Sequence, residues 1–149
     1  MTVHSTDREL QQDVAELLVR YATGVDRRDW ELFRSCFTDD CRADYGDIGA
    51  WSDADSFTAW MDRAHRRAGP SLHRVTNQTV TRSGDDGTTA TARCYLDAVV
   101  MTADGRAAVQ TVGYCDDDLV RTDDGWRIAR RRYTRLLSRT EHGADGPVG

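Results

Sequence analysis

Among the residues of this 149-residue chain whose types suit proton transfer, Asp26 and His73 form the pair of interest. The imidazole is the side chain whose ordinary pKa lies nearest neutrality. A carboxylate bonded to one ring nitrogen fixes the tautomer and stabilises the imidazolium, leaving the other nitrogen free to take a proton. Read singly, each residue has a bland alternative: a solvated carboxylate in a turn, and a hydrogen-bonded structural histidine. Spacing along the chain cannot decide between the readings; the elements that carry the two residues can.

Asp26 closes an amphipathic stretch. Leu10, Val14, Leu17, Leu18, Tyr21 and Val25 recur at helical spacing, so one face is apolar and Asp26 lies at its edge. A carboxylate at the negative end of a helix dipole should have raised proton affinity. The helix should run over about residues 7–23, with Gly24 helping to end it. Asp29 is a plausible N-cap for a short second helix that packs Trp30, Phe33 and Phe37 inward. Asp39-Asp40 should turn the chain, residues 41–45 form a short strand and 46–51 a loop. Ser52 or Asp53 should cap a third helix with Phe57, Trp60, Met61 and Ala64 on its apolar face, stopped by Gly69-Pro70. His65 borders that face and reads as a packed or surface residue.

His73 stands at the entry to a different texture. Residues 71–82, 88–102, 107–121 and 126–135 are rich in Val, Thr and Tyr, with turn signals between them. Val75 and Asn77 share the side of His73 by period two. Helices followed by a meander predict an α+β fold, with N-terminal helices packed on a curved antiparallel or mixed sheet. On 88–102 the small or apolar Ala90, Ala92, Cys94, Leu96, Ala98 and Val100 share one side, which should face the helices and leave room for a pocket. Arg93, Tyr95, Asp97, Val99 and Met101 form the other side, a surface suited to a dimer interface.

The composition narrows the classes. Net charge is −5 and every basic residue is arginine, with no basic excess to favour nucleic acid. Arg127, Arg130, Arg131, Arg132 and Arg135 cluster late, but alternation along a strand would split them between two faces. Without lysine there is no Schiff-base chemistry, no pyridoxal phosphate attachment and no P-loop. Cys36, Cys41, Cys94 and Cys115 lack metal-ligand spacing and read as buried free thiols, so no metal is expected. No apolar run has the length of a membrane span and the N-terminus lacks a signal-peptide core, so a soluble cytoplasmic protein is expected. The length suits one domain, placed at 7–138, with residues 1–6 and 139–149 as polar tails that hold His4 and His142.

Several motifs together resemble a family. They are Tyr21-x4-Asp26-x2-Asp29-Trp30, Phe37-Thr38-Asp39-Asp40, Asp44-Tyr45-Gly46, His73-x3-Asn77, and Gly113-Tyr114 with Arg121-Thr-Asp-Asp-Gly125-Trp126-Arg-Ile128. The pattern resembles the SnoaL-like branch of the nuclear transport factor 2-like superfamily, and within it scytalone dehydratase and lindane dehydrochlorinase. It spans residues 10–133. The closing Asp-Gly-Trp-Arg-Ile run speaks for fold alone; the Asp26 and His73 combination is the more specific part.

The resemblance implies a cone-shaped roll around an internal pocket, no cofactor and a small-molecule substrate. It implies a homodimer or higher homo-oligomer; charge and hydropathy give the expectation of no nucleic-acid and no membrane partner. It implies that Asp26 orients His73, which abstracts a substrate proton to start an elimination. It implies that Tyr45 holds a carbonyl or water and that Arg131 faces a leaving anion. Tyr21, Trp30, Asn77, Cys94, Leu96, Thr111 and Cys115 would line the pocket. Val25, Tyr21 and Cys115 depart from residues of those two enzymes, so neither substrate carries over. A cyclic, polyketide-like hydroxy-ketone fits better than a chlorinated ring, in a dehydratase or cyclase type of lyase or isomerase. Three other readings share the fold: a ketosteroid isomerase-like enzyme with Asp44 as base, which needs Asp44 inward in place of Tyr45; a non-catalytic ligand-binding or dimerisation module; and an epoxide hydrolase built on Asp97.

Overall fold

The computed structural model describes residues 3–143, with side chains from Asp7 onward. Helix α1 (Val3–Arg27) is followed by α2 (Trp30–Arg34), strand β1 (Phe37–Asp44), a 3-10 turn (Gly46–Ile48), β2 (Ala50–Trp51) and α3 (Ala54–His65). Four long strands complete the chain: β3 (Ala68–Ser83), β4 (Thr89–Thr102), β5 (Ala107–Thr122) and β6 (Gly125–His142). The helices pack on a six-stranded mixed sheet in the order β2-β1-β6-β5-β4-β3. β1 pairs parallel with β6, and the other pairs are antiparallel. The fold is the α+β cone expected from the sequence. No helix among the described residues is long and apolar enough to cross a membrane.

Element ends depart from the sequence reading for local reasons. Helix α1 runs through Gly24 because the missing side chain admits α2: a Cβ there would lie 2.7 Å from the backbone nitrogen of Phe33. The helix ends instead at Arg28, in the left-handed region at φ 56°, where Asp29 N–H bonds to Gly24 O at 2.9 Å. Asp29 and Asp53 each cap the helix that follows, at 3.0 and 2.7 Å. Asp39 and Asp40 make no turn; they lie in β1 where its register against β6 slips. Gly69 and Pro70 belong to β3, and α3 has already stopped at His65. Strand β6 continues to His142 by pairing with Ala107, so residues 139–142 are strand and no tail; 144–149 and 1–2 lie outside the described residues.

The core forms between the apolar face of α1 and the inner face of the sheet. Leu10, Val14, Leu17, Leu18, Tyr21 and Val25 are all buried. Below them Ala90, Ala92, Cys94, Leu96 and Ala98 alternate inward on β4, while Tyr95 on the far side is half exposed. Aromatic rings from the helices and β1 meet these small residues. Phe33, Phe37 and Phe57 pack with centroids 5.1–5.3 Å apart, and Tyr45 lies 5.3 Å from Tyr133 and 5.4 Å from Phe57. These rings and the small β4 side chains belong to one continuous core.

Two irregularities re-aim side chains. In β3 the register against β4 shifts between Thr76 and Thr79, with Asn77 left-handed at φ 52°. His73 and Val75 face inward before the bulge and Val80 after it, and Asn77 is exposed. In β6 the pairing with β5 shifts between Ile128 and Arg130. Trp126 and Ile128 are buried before that shift, Arg131 and Tyr133 after it. An unbroken alternation from Trp126 would turn Arg130 and Arg132 inward instead.

Candidate active site

The end of α1 and the start of β3 bring Asp26 and His73 together. His73 Nδ1 is 2.7 Å from Asp26 Oδ1, and His73 backbone N–H donates to Asp26 Oδ2 at 2.8 Å. A carboxylate oxygen accepts, so the proton of neutral His73 lies on Nδ1 and Nε2 carries a lone pair. The His73 side chain is 7 % exposed, and Asp26 is 20 % exposed. One further side chain bonds the carboxylate and is itself held by Arg28. Ser71 Oγ donates to Asp26 Oδ1 at 2.9 Å, and Arg28 donates to Ser71 Oγ at 2.7 Å. Arg28 also spans the gap between helix and strand, donating to Val25 O and Gly69 O at 2.7 Å each.

Burial by itself would raise the Asp26 pKa, as the helix-end position also suggests. The hydrogen bonds and charge of His73, with the bond from Ser71, outweigh it and hold the carboxyl below its ordinary value. Asp26 is therefore charged at neutral pH.

A second cluster lies deeper. Tyr21 and Tyr45 are buried and their hydroxyls are 3.0 Å apart. Burial, opposed by the Arg131 charge, pushes the Tyr21 pKa up to about 12, and burial drives Tyr45 and Tyr133 upward as well. All three phenols remain protonated at neutral pH and can donate. Arg131 is 1 % exposed and forms two parallel bonds to Asp117, 2.8 Å from Nε to Oδ1 and 2.7 Å from Nη2 to Oδ2. Its guanidinium lies 4.4 Å from the centre of the Tyr21 ring. Burial works against the charge; Asp117 outweighs it and keeps the guanidinium protonated.

The site residues expected from the sequence divide accordingly. Asp26 meets His73, and Tyr45 turns inward beside Tyr21. Asp44 is 53 % exposed and accepts from Gly46 N–H at 2.9 Å, so it stands outside the interior that an isomerase base would need. Arg131 is interior, but its guanidinium is engaged by Asp117 and Tyr21 before any anion arrives. Cys94, Leu96 and Cys115 are buried on the inner sheet face, and Thr111 is half-buried opposite Ala98. Trp30 is half-buried, 5.9 Å from His65. Asn77 is the exception, exposed because the bulge reverses the alternation. Asp97 points outward and bonds to Arg74 at 2.6 Å. Grooves of 440 and 430 Å³ lie on the outer sheet face, beside Arg93 and Arg130, and on the outer face of α1, beside Val19 and Leu32. Neither reaches Asp26 or His73.

Three residues of these clusters went unassigned in the sequence: Ser71, Arg28 and Asp117. Ser71 is two residues from His73 and shares its side. Asp117 is the middle of three aspartates, and its period-two relation to Cys115 and Leu119 was the signal. His65 falls on the row Ala54, Phe57, Met61, His65, whereas Ala64 is exposed.

The model of the SnoaL-like domain matches residues 6–132, which holds Asp26, His73, Tyr21, Tyr45, Asp117 and Arg131. The chain belongs to the SnoaL-like family. An uncharacterized protein of Mycobacterium tuberculosis is 30% identical over 129 residues, 85% of this chain and 86% of that protein. Two solved structures share the SnoaL-like fold. One is a Novosphingobium aromaticivorans protein provisionally named a scytalone dehydratase, with a TM-score of 0.85 at 18% identity, covering 99% of this chain and 98% of that one. The other is a type 3 hexachlorocyclohexane dehydrochlorinase from Novosphingobium barchaimii, with a TM-score of 0.83 at 13% identity, covering 98% and 99%. At these identities the likeness speaks for the fold.

Proposed function

We propose that this SnoaL-like protein is a cofactor-independent lyase or isomerase of the dehydratase or cyclase type, acting on a small cyclic, polyketide-like hydroxy-ketone. The observation that carries the reading is the 2.7 Å bond from His73 Nδ1 to Asp26, which leaves Nε2 as the base. The names of two structures of the same fold, a dehydratase and a dehydrochlorinase, support an elimination.

In this reading His73 Nε2 takes the proton from the carbon beside the ketone. The C–H electron pair becomes the new C=C bond as the C–O bond to the β-hydroxyl breaks. The proton on Nε2 passes to the departing hydroxyl, which leaves as water, and the neutral imidazole is restored. Asp26 stabilises the imidazolium between these steps. A protonated Tyr45, braced by Tyr21, is the donor for the ketone oxygen as it gains charge. Arg131 is a positioning residue that acts through Tyr21.

A non-catalytic ligand-binding module of the same family is the second reading. The engagement of Arg131 by Asp117 and Tyr21, which takes that guanidinium's Nε–Nη2 donor pair from a leaving anion, favours it. Self-association would use the outer sheet face, where Leu72, Tyr95 and Leu137 are exposed. The test incubates the purified protein with a panel of cyclic β-hydroxy ketones and follows the absorbance of the conjugated enone. Turnover by wild type that is lost in His73→Ala supports the lyase. Tight binding of panel members with no enone formed by wild type supports the module.

A further inference from the structure

His65 is the buried polar group nearest the proposed base that the proposed reaction leaves unused. It ends α3 on the buried face of that helix, and its ring centre lies 6.1 Å from that of His73 at an interplanar angle of 53°. His65 Nδ1 is 2.8 Å from the Met61 carbonyl oxygen. A carbonyl only accepts, so Nδ1 carries the proton and Nε2 the lone pair. The two imidazoles are thus held the same way round, one by a carboxylate and one by a backbone carbonyl.

Among the described residues neither Nε2 has a hydrogen-bond partner. The one side-chain polar atom both sealed and unpartnered among them is Thr38 Oγ1, so each Nε2 keeps some exposure to solvent. Trp30 flanks His65, with ring centres 5.9 Å apart. Burial first, then the nearby charges of Arg28 and His73, lower the His65 pKa, against the opposing pull of Met61 O and Asp26. A neutral ring fixed in this way accepts a hydrogen bond and has no Nε2 proton to give.

We propose that His65 Nε2 accepts a hydrogen bond from the substrate's β-hydroxyl while His73 Nε2 takes the proton on the neighbouring carbon. The inference rests on the reading of Asp26 and His73 as the base pair. Each acceptor reaches about 3 Å to its donor. Rings 6.1 Å apart can therefore engage an O–H and a C–H on adjacent carbons of one small molecule. The consequence is specificity. A site with an acceptor at the leaving group favours a leaving group with a proton to donate, and so a hydroxyl over an ether or a halide.

The test compares 3-hydroxycyclohexanone with 3-methoxycyclohexanone in wild type, His65→Phe and His65→Gln. Phenylalanine keeps the ring against Trp30 and removes the acceptor; glutamine keeps an acceptor oxygen. We expect His65→Phe to raise KM for the hydroxy ketone about tenfold, the effect of one lost hydrogen bond, with kcat/KM for the ether unchanged and partial recovery in His65→Gln. A hydroxy-to-ether ratio of kcat/KM that is the same in wild type and His65→Phe overturns the proposal. The ¹⁵N resonance of His65 Nε2, assigned by its loss in His65→Phe, supplies a readout that needs no turnover. A shift with the hydroxy ketone and none with the ether supports the His65 contact even in a protein that forms no enone, where the lyase reading alone fails. No shift with either compound overturns the contact.

Discussion

Arg131 and Asp117 face each other across β5 and β6 with both side chains 1 % exposed, joined by two parallel hydrogen bonds. Such a pair adds little net stability over an apolar pair of the same shape, but removing one partner strands the other charge in the interior. Asp117→Asn keeps the volume and leaves the guanidinium uncompensated. It should lower stability by about 3–5 kcal/mol. Urea denaturation measures it, and an unchanged midpoint contradicts the assignment.

Tyr21 and Tyr45 share one hydrogen bond in a sealed environment, so their substitutions should couple. Either Tyr→Phe change removes the bond and leaves the other hydroxyl without that partner, a loss of about 1–2 kcal/mol. The double variant should be destabilised by clearly less than the sum of the two single effects. A double-mutant cycle checks it; strict additivity would mean that the bond carries no stability.

Asn77 was expected to line the pocket, and its bulge position makes a different prediction. At φ 52° asparagine is tolerated and glycine is at ease. Asn77→Gly should leave stability and any turnover near wild type, whereas Asn77→Val should lose about 1–2 kcal/mol from the strained backbone. A large loss of substrate affinity in Asn77→Gly would restore the side chain to the site.

Much of the fold was readable because it rests on period. The alternation of Ala90, Ala92, Cys94, Leu96 and Ala98 assigned the inner face of β4, and the Gly-Asp turns divided the meander correctly. What escaped was phase. A bulge at Asn77 and another before Arg131 each shift the alternation by one residue, and no local residue type announces them. Gly24 looked like a helix end and is instead a contact point for α2, a tertiary fact that no helix propensity contains. The Asp26 and His73 meeting came from chemistry and family resemblance, because helix end and strand entry are far apart in the chain. Asp117 lay in a run of three aspartates within the 107–121 strand, and only its phase with Cys115 and Leu119 sets it apart.

Asp26 also predicts a pH dependence of stability. Burial opposes its ionisation, and the bonds from His73 and Ser71 outweigh that opposition, so its folded pKa lies below the unfolded one. A depressed carboxyl contributes stability that is fully present above the unfolded pKa of about 3.9 and is lost as pH falls through the folded pKa. Asp26→Asn should therefore lose stability at neutral pH and show a shallower further loss below that range than wild type. Denaturation midpoints collected from pH 2 to 7 test the sign; parallel acid limbs for the two proteins would contradict it.

The most direct measurement is kcat/KM for Asp26→Asn, His73→Ala and the double variant on a cyclic β-hydroxy ketone that wild type converts. If the pair acts as one base, each single change lowers kcat/KM by roughly 10²–10⁴-fold, and the double variant is no worse than His73→Ala alone. Turnover that survives His73→Ala undiminished, or losses that multiply in the double variant, would contradict it.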